Sequence, residues 1–218
     1  MGSQSDLVTN EIRRLLSEGI LRPGDPLDET ALKEKFSLSI TPIRESLLML
    51  EALGLVERRK RAGAYIRSLD LETLIGLVET DAELEGAAAH FAAQRINPMQ
   101  TATLEQALFD CEAYAERNDA DGDEYYRLNL RFHRAFIDAS GNPQLREMID
   151  QVGGRLVFYF RTRHKIHGEI KRSVQQHRAI YEAIVAGDKD LARSLTVQHC
   201  TFDRTMPLTV INLAHRPK

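Results

Sequence analysis

The sequence lacks the features that mark secreted and membrane proteins. It has two cysteines in 218 residues, Cys111 and Cys200, which are too few for a disulfide scaffold and fit a reducing compartment. No apolar run approaches the ~20 residues that cross a bilayer, and the N-terminus has no apolar segment ahead of a cleavage site. These absences predict a cytoplasmic protein with no membrane partner.

The sequence also lacks the motifs of common enzyme classes. It contains no His-Glu-x-x-His, no paired Glu-x-x-His, no nucleophile elbow and no phosphate-cradling glycine loop. We therefore predict that the chain is not an enzyme, and a metalloenzyme built on a helical bundle is the alternative. The net charge of −3 does not by itself indicate a nucleic-acid partner. With 43% hydrophobic residues, the chain can bury a sizeable core.

The sequence pattern changes near residue 69 and predicts two domains, 1–68 and 69–218. Three short helices come first, and they are followed by two stretches rich in β-forming residues around a turn. The predicted ranges are 7–18, 29–36 and about 40–54 for the helices, and 55–58 and 64–67 for the strands. The order helix, turn, helix, basic hairpin predicts a winged helix-turn-helix.

From Leu71 to about Met206 the pattern is helical throughout, with breakers at regular intervals. Short connections between helices of about 15–25 residues are typical of an antiparallel bundle, and we predict about six of them. At one breaker, Gly141 can take the left-handed position, Asn142 can cap the next helix and Pro143 fits its first turn. The predicted fold class is therefore mainly α.

Two features of the first domain point to DNA. The hairpin tip carries Arg58, Arg59, Lys60 and Arg61, which predicts phosphate contacts, although a solvated charged turn is the alternative.

The second feature is the start of the third helix, Ser39-Ile40-Thr41-Pro42-Ile43-Arg44. Ser39 or Thr41 can cap this helix, and its first-turn N–H groups suit a phosphate. Arg44, one turn further on, can reach a guanine edge or a phosphate.

Residues 27–66 resemble the DNA-binding domain of the GntR family of bacterial transcription regulators. The match is tight at Ser39, Thr41, Pro42, Arg44, Glu45, Leu47, Leu53, Gly54, Leu55 and Gly63. The resemblance implies that Thr41 and Arg44 contact DNA, and that Gly63 lets the wing tip approach the minor groove. Ile40 and Thr30 stand where members often carry arginine, so we predict an operator that differs from the commonest family sequence.

Three histidines lie within the apolar stripes of their helices. His177 and His199 follow the 3–4 spacing of the neighbouring apolar residues, and His133 lies between Phe132 and Phe136. A buried imidazole must find polar partners, and a hydrogen-bonded structural role is the usual one. Three such histidines on three helices also predict a shared metal ion in the bundle interior.

Residues 71–204 resemble the FCD ligand-binding domain of the FadR-type branch of the same family. The segments that carry the resemblance are "NLRFHRAFIDASGNPQL", "QQHRAIYEAIVAGDKDLA" and "VQHCTFD". It implies a divalent metal, zinc or nickel, held by Asn129, His133, His177 and His199. Members with this site carry Asp where Asn129 stands, so we expect a neutral ligand set and weaker metal binding. We predict that His164 and His167 lie on a solvated face.

The resemblance further implies a small carboxylate effector. Arg155, Arg161 and Arg163 are candidates for holding it, and each could equally lie on the surface. Asp81 stands where relatives often carry arginine, which indicates a different ligand or a rearranged ion pair.

Together these features predict a homodimeric, metabolite-responsive repressor that binds a short palindromic operator in double-stranded DNA. The alternative within the family is a DNA-binding regulator whose histidine cluster is only structural.

Overall fold

The computed structural model describes residues 3–60, 62–117, 119–203 and 205–214, and they form two compact units. The first unit contains the described residues up to Asp70 together with residues 211–214. The second unit runs from Leu71 to Val210. The domain limits inferred from the sequence, 1–68 and 69–218, stay a prediction.

The first unit contains three helices and a small antiparallel sheet before Asp70. Its elements are α1 (Gln4–Ser17), β1 (Pro26–Leu27), α2 (Glu29–Phe36), α3 (Ile40–Ala52), β2 (Val56–Arg59) and β3 (Gly63–Ile66). The strand order is β1-β3-β2, with Glu57 opposite Tyr65 in the hairpin. The sequence predicted only a turn where β1 lies. A two-residue strand within a Pro- and Gly-rich segment is too short to show an alternating pattern.

Helix α1 packs on α3 through residues one helical turn apart. Val8 and Ile12 of α1, and Ile43, Leu47 and Leu50 of α3, are completely buried. Because successive turns of a helix present the same face at a spacing of 3–4 residues, the positions between them face away from this core. Those outward positions of α3 carry the polar residues proposed to meet DNA.

The second unit is helical and contains six helices, with a seventh, α10, beginning near its end. The bounds are α4 (Leu71–Arg95), α5 (Pro98–Ala115), α6 (Gly122–Ala139), α7 (Pro143–Arg163), α8 (Glu169–Val185), α9 (Lys189–Cys200) and α10 (Met206–Ala214). The sequence did not predict α10, and α9 is shorter than expected at 12 residues. The prediction of a mainly α fold, with a winged helix-turn-helix followed by a helical bundle, is confirmed.

The junction between α6 and α7 forms as its sequence predicts. Gly141 adopts a φ of +62°, which a side chain would disfavour. The Asn142 side chain accepts a hydrogen bond from the N–H of Leu145 at 3.1 Å. Pro143 occupies the first turn of α7, where no intrahelical N–H is needed.

Small residues bring α4 and α9 close together. Ala88, Ala89 and Ala92 of α4 are completely buried, and a Cβ added to Gly86 would lie 2.5 Å from Val197 Cγ2 on α9. This close approach places Glu85 of α4 beside Cys200 of α9, with 3.5 Å between Glu85 Oε2 and Cys200 Sγ. The backbone spacing of these two helices therefore shapes one wall of the site described below.

The start of α6 also approaches another segment closely, and this contact predicts the effect of a mutation. A Cβ on Gly122 would lie 2.7 Å from the backbone oxygen of His164 and 2.9 Å from the N of Lys165. Backbone atoms cannot rotate away, so we expect Gly122→Ala to lower the free energy of unfolding by about 1–3 kcal/mol. Urea denaturation would measure the change.

Gly76→Ala is the matched control. Gly76 is exposed within α4, and a Cβ there meets nothing within 4 Å. We expect this variant to be more stable than the wild type by up to about 1 kcal/mol, since alanine favours helix over glycine. Equal stabilities for the two variants would contradict the steric explanation.

Among the helices that the structure describes, none is both long enough and apolar enough to span a bilayer.

Candidate metal centre and nucleic-acid interface

Three imidazoles from three different helices meet inside the second unit. His133 of α6, His177 of α8 and His199 of α9 are all buried. The Nε2 atom of His199 lies 3.2 Å from His133 Nε2 and 3.1 Å from His177 Nε2. The convergence that the helical spacing suggested is therefore present in the structure.

The two nitrogen separations that involve His199 fit a single metal ion. Two ligands that each lie about 2.0–2.1 Å from zinc and are 3.1–3.2 Å apart subtend an angle of about 95–105° at the metal. This range lies between the octahedral and tetrahedral angles. The cluster of three histidines could hold a divalent ion.

Hydrogen bonds at Nδ1 hold two of the rings in the orientation that a metal requires. His133 Nδ1 is hydrogen-bonded to the carboxylate of Glu85 on α4, and His199 Nδ1 lies 2.9 Å from Gln176 Oε1 on α8. Such partners hold Nε2 toward the metal and make the imidazole a better ligand. Sequence reasoning missed Glu85 and Gln176 in this role; the signal for Glu85 was an acid within an alanine-rich apolar stretch.

The third ring is held by packing. His177 stacks on Phe132, with 4.1 Å between ring centroids and 19° between the planes. Its Nδ1 atom is buried without a hydrogen-bond partner. Burial lowers the pKa of His177 and His199 well below the usual value, and the neighbouring histidines lower it further. Both imidazoles are thus neutral near pH 7, the form that binds metal.

Asn129 lies at the edge of the histidine cluster. It is buried, and the hydroxyl of Ser173 lies 3.5 Å from both Asn129 Oδ1 and His177 Nε2. Tyr125 donates a hydrogen bond to Ser173 Oγ at 2.9 Å, so this hydroxyl is held in place. The structure brings Asn129 to the cluster, and its role as a ligand stays a prediction. Sequence reasoning missed Ser173, because its position depends on how α8 packs against α6.

A cavity of about 40 Å³ adjoins the cluster. Its walls combine two of the three cluster histidines, His133 and His199, with acidic, basic and aromatic side chains. The lining residues are Asp81, Glu85, Tyr126, Asn129, Leu130, His133, Phe160, Arg163, His164, His199 and Cys200.

The four residues suggested for effector binding are placed differently. Asp81 and Arg163 line the cavity. Arg163 pairs with Glu169, with 3.0 Å between Nε and Oε2, and its Nη1 donates to the backbone oxygen of His199 at 3.0 Å.

Arg161 is buried in an ion pair with Asp123 on α6. Its Nε and Nη2 atoms lie 2.7 and 2.6 Å from the two carboxylate oxygens. Arg155 lies half-buried on the same helix, α7, as Arg161 and Arg163. Effector roles for these residues stay predictions.

The prediction that His164 lies on a solvated face is wrong. His164 is buried at the end of α7, and its ring packs edge-on against Tyr125 with 5.0 Å between centroids. Burial, and then the charge of Arg163, lower its pKa to about 3. The close approach of Gly122 to the His164 backbone covers this position, and no sequence pattern showed it. His167, three residues on, is exposed.

The first unit presents the start of α3 to solvent. Ser39 occupies the N-cap position, but its side chain makes no capping hydrogen bond, so the expected cap is not formed by this hydroxyl. Thr41 is exposed, while Pro42 is buried in the first turn. First-turn N–H groups without a side-chain cap, together with the helix dipole, favour an anion at this end of the helix.

The charged residues around α3 and the wing form exposed ion pairs within the first unit. Arg44 Nε lies 3.0 Å from Glu29 Oε2, and Arg58 Nε lies 3.4 Å from Glu51 Oε2. Exposed pairs of this kind stabilise a protein by about 0–1 kcal/mol, so DNA phosphates could replace the acidic partners at little cost.

The tip of the hairpin is open to solvent. Arg59 stacks over the ring of Tyr65 with 4.2 Å between its Cζ and the centroid, and Lys60 is exposed. Gly63 has a φ of +95° and no atom within 4 Å of an added Cβ, so the backbone here is accessible. Arg61 lies outside the described residues. These DNA-contact assignments stay predictions.

Two family models match this chain. Residues 4–66 match the family model described as "Bacterial regulatory proteins, gntR family", and residues 77–202 match the FCD domain model. Among curated proteins, the HTH-type transcriptional regulator LutR of Bacillus subtilis is 29% identical over 86% of this chain and 93% of its own length. The galactonate operon transcriptional repressor of Escherichia coli is 27% identical over 87% of this chain and 90% of its own.

Solved structures share the whole fold. The chain resembles E. coli McbR/YncC with a TM-score of 0.80 and 23% identity, over 99% of this chain and 100% of that one. A GntR regulator from Rhodococcus sp. RHA1 gives a TM-score of 0.76 at 20% identity, with the same coverage. At these identities the likeness establishes the fold.

Proposed function

This chain belongs to the gntR family of bacterial regulatory proteins, and we propose that it is a repressor controlled by a divalent metal and a small carboxylate metabolite. Its family makes it a DNA-binding transcription regulator, and it is not an enzyme. The observation that carries the proposal is the approach of His133 Nε2 and His177 Nε2 to within 3.1–3.2 Å of His199 Nε2 beside a cavity.

The operator-binding half of the proposal uses α3 and the wing. Arg44 and Thr41 face the major groove, the uncapped amides at the start of α3 meet a phosphate, and the wing lies along the adjacent backbone. The regulator acts as a homodimer, which matches a palindrome whose half-sites are about one helical turn apart. The galactonate relative is named a repressor, which favours repression here.

Ile40 sets part of the operator preference. We expect Ile40→Arg to change the base selected at one position of each half-site and to increase affinity for that sequence by about 1–3 kcal/mol. Selection of bound DNA from a random pool would compare the two proteins. Ile20→Arg is the control, since it adds the same charge at an exposed isoleucine outside α3. An unchanged selected site and affinity for Ile40→Arg would contradict this role.

The sensing half uses His133, His177 and His199 as ligands to zinc or nickel, with Asn129 as a neutral fourth group. A bound divalent ion supplies a Lewis-acidic position that a carboxylate can occupy. Because none of the ligands carries a negative charge, the ion attracts an incoming anion more strongly than it would with a carboxylate ligand. Glu85 and Gln176 keep two of the rings oriented for the ion.

Metal and effector should therefore bind with positive coupling. We expect zinc to bind at least about fivefold more tightly in the presence of a carboxylic acid that a thermal-shift screen identifies. Isothermal titration of zinc with and without the acid measures this factor. Asn129→Asp is expected to bind zinc more tightly alone and to show weaker coupling, because the added carboxylate neutralises part of the ion's charge. Identical zinc affinities with and without the acid would refute the coupling.

One experiment tests the proposal as a whole. DNA bound by the full chain is selected from a random pool, with and without a chelator, and the selected sequence is then used to measure affinity. We expect a palindrome in both cases and a change in affinity when metal is removed. A palindrome whose affinity ignores the chelator would support the alternative of a structural histidine cluster. If no sequence is enriched even at low ionic strength, operator binding by this chain is refuted.

A further inference from the structure

One oxygen of a buried carboxyl group in the wall of the cavity has no hydrogen-bond partner among the described residues. Asp81 of α4 is 1% exposed, and its Oδ1 atom makes no hydrogen bond. No lysine, arginine or histidine of the described residues forms an ion pair with it. Buried acids are normally paired or hydrogen-bonded, because burial removes their hydration. This group is therefore an acceptor that the protein leaves unused.

The groups around Asp81 cannot neutralise it. Glu85, one helical turn further along α4, is itself acidic and already accepts hydrogen bonds from His133 and Cys200. Arg163, the arginine of the cavity wall, pairs with Glu169 and with the backbone of His199. On the facing helix α7, a Cβ added to Gly153 would lie 3.6 Å from Asp81 Oδ1, so this glycine offers no side-chain donor there. Among the residues that the structure describes, none donates a hydrogen bond to Asp81 Oδ1.

Two neighbouring buried acids, Asp81 and Glu85, in the cavity wall favour a cation in the cavity. Burial, and then the charge of Glu85, raise the pKa of Asp81 well above its usual value, which reflects the cost of an uncompensated charge at this position. A cavity of about 40 Å³ limits the size of the group that can enter. A primary ammonium is a compact cation with three donors, whereas a guanidinium is larger and planar.

We propose that the effector carries a positively charged amino group that docks on Asp81, and that it is an amino acid rather than a hydroxy or keto acid. This inference rests on the proposed function, in which the carboxylate end of the effector lies at the metal. Asp81 then selects the substituent next to that carboxylate. The Asp81 carboxyl group would be ionised in the complex, because the ammonium of the effector supplies the positive charge that compensates it.

Matched ligand pairs test the inference on the full, zinc-loaded chain. A panel of L-amino acids is compared with the 2-hydroxy and 2-keto acids of the same side chains, such as alanine with lactate and pyruvate, by thermal shift and then by titration. For the side chain that binds best, we expect the amino acid to bind about tenfold or more tightly than its hydroxy analogue. This is the size of one buried charge-assisted hydrogen bond.

The Asp81→Asn variant tests whether Asp81 causes the preference for amino acids over hydroxy acids. It keeps the size of the side chain and removes its charge, and we expect it to lose the tenfold preference while its zinc content stays that of the wild type. Asp190→Asn is the control, because its side chain is 82% exposed on α9, and it should keep the preference. If Asp81→Asn does not fold, the comparison of ligand pairs on the wild-type protein still decides the outcome.

The possible failures are distinguishable. Hydroxy or keto acids that bind as well as amino acids, or better, would overturn the role of Asp81 and leave the sensing of a carboxylate intact. If no member of the panel stabilises the zinc-loaded protein, both the proposed effector class and the inference are overturned.

Discussion

The His199→Ala variant is expected to lose its divalent metal under conditions in which the wild-type chain retains it. His199 Nε2 is the atom that both other imidazoles approach, at 3.1 and 3.2 Å, so its removal leaves only two of the three histidine ligands. The variant also breaks the contact with Gln176 Oε1 that orients the ring. We expect zinc affinity to fall by more than ~100-fold, a larger loss than follows removal of an outer partner. Competition with a chromophoric chelator would measure it.

Two further variants are expected to lose less zinc affinity than His199→Ala. Glu85→Gln removes the carboxylate that holds His133 but leaves all three rings, and we expect affinity to fall about 10–100-fold. His167→Ala removes an exposed histidine close in sequence to α7 and should bind zinc as the wild type does. Zinc retention by His199→Ala at wild-type affinity would show that the three imidazoles do not form a common site.

The second large effect is expected from Arg44→Ala, which should weaken operator binding by about 10- to 100-fold. Arg44 lies on the exposed face of α3, and among the described residues its one ion pair is the exposed one with Glu29. An arginine that contacts a guanine bidentately contributes about 1–3 kcal/mol of discrimination. Fluorescence anisotropy with the selected operator would measure affinity, and specificity should relax at the contacted base.

Arg127→Ala provides the matched control for this variant. The side chains of Arg44 and Arg127 are both 61% exposed, and each pairs with one glutamate, but Arg127 lies on α6 of the second unit. We expect its operator affinity to equal that of the wild type. If Arg44→Ala and Arg127→Ala bind equally well, Arg44 does not read the operator.

Local sequence signals were sufficient to predict most of the fold. The Gly141-Asn142-Pro143 junction forms as predicted, because each residue acts on its own backbone. The convergence of His133 and His177 followed from helical periodicity, since a bundle has one interior and each stripe must face it.

The missing parts depend on contacts between segments that are distant in sequence. The role of Glu85 requires α4 and α6 to pack in one register, and the burial of His164 requires Gly122 to reach its backbone. Neither contact can be predicted from the residues that neighbour Glu85 or His164 in sequence. The short strand β1 was missed for a related reason, since it exists only because β3 offers it hydrogen-bonding partners.

The closeness of α4 and α9 has a practical consequence for thiol chemistry. Cys200 is enclosed between these helices, and burial raises its pKa well above the usual range; burial likewise raises that of Cys111 to about 12. Only the thiolate reacts with alkylating agents, so both residues should resist modification in the folded state. The rate at which Cys200 is alkylated would then report how often these two helices separate. This rate would measure opening of the protein at the sensing centre.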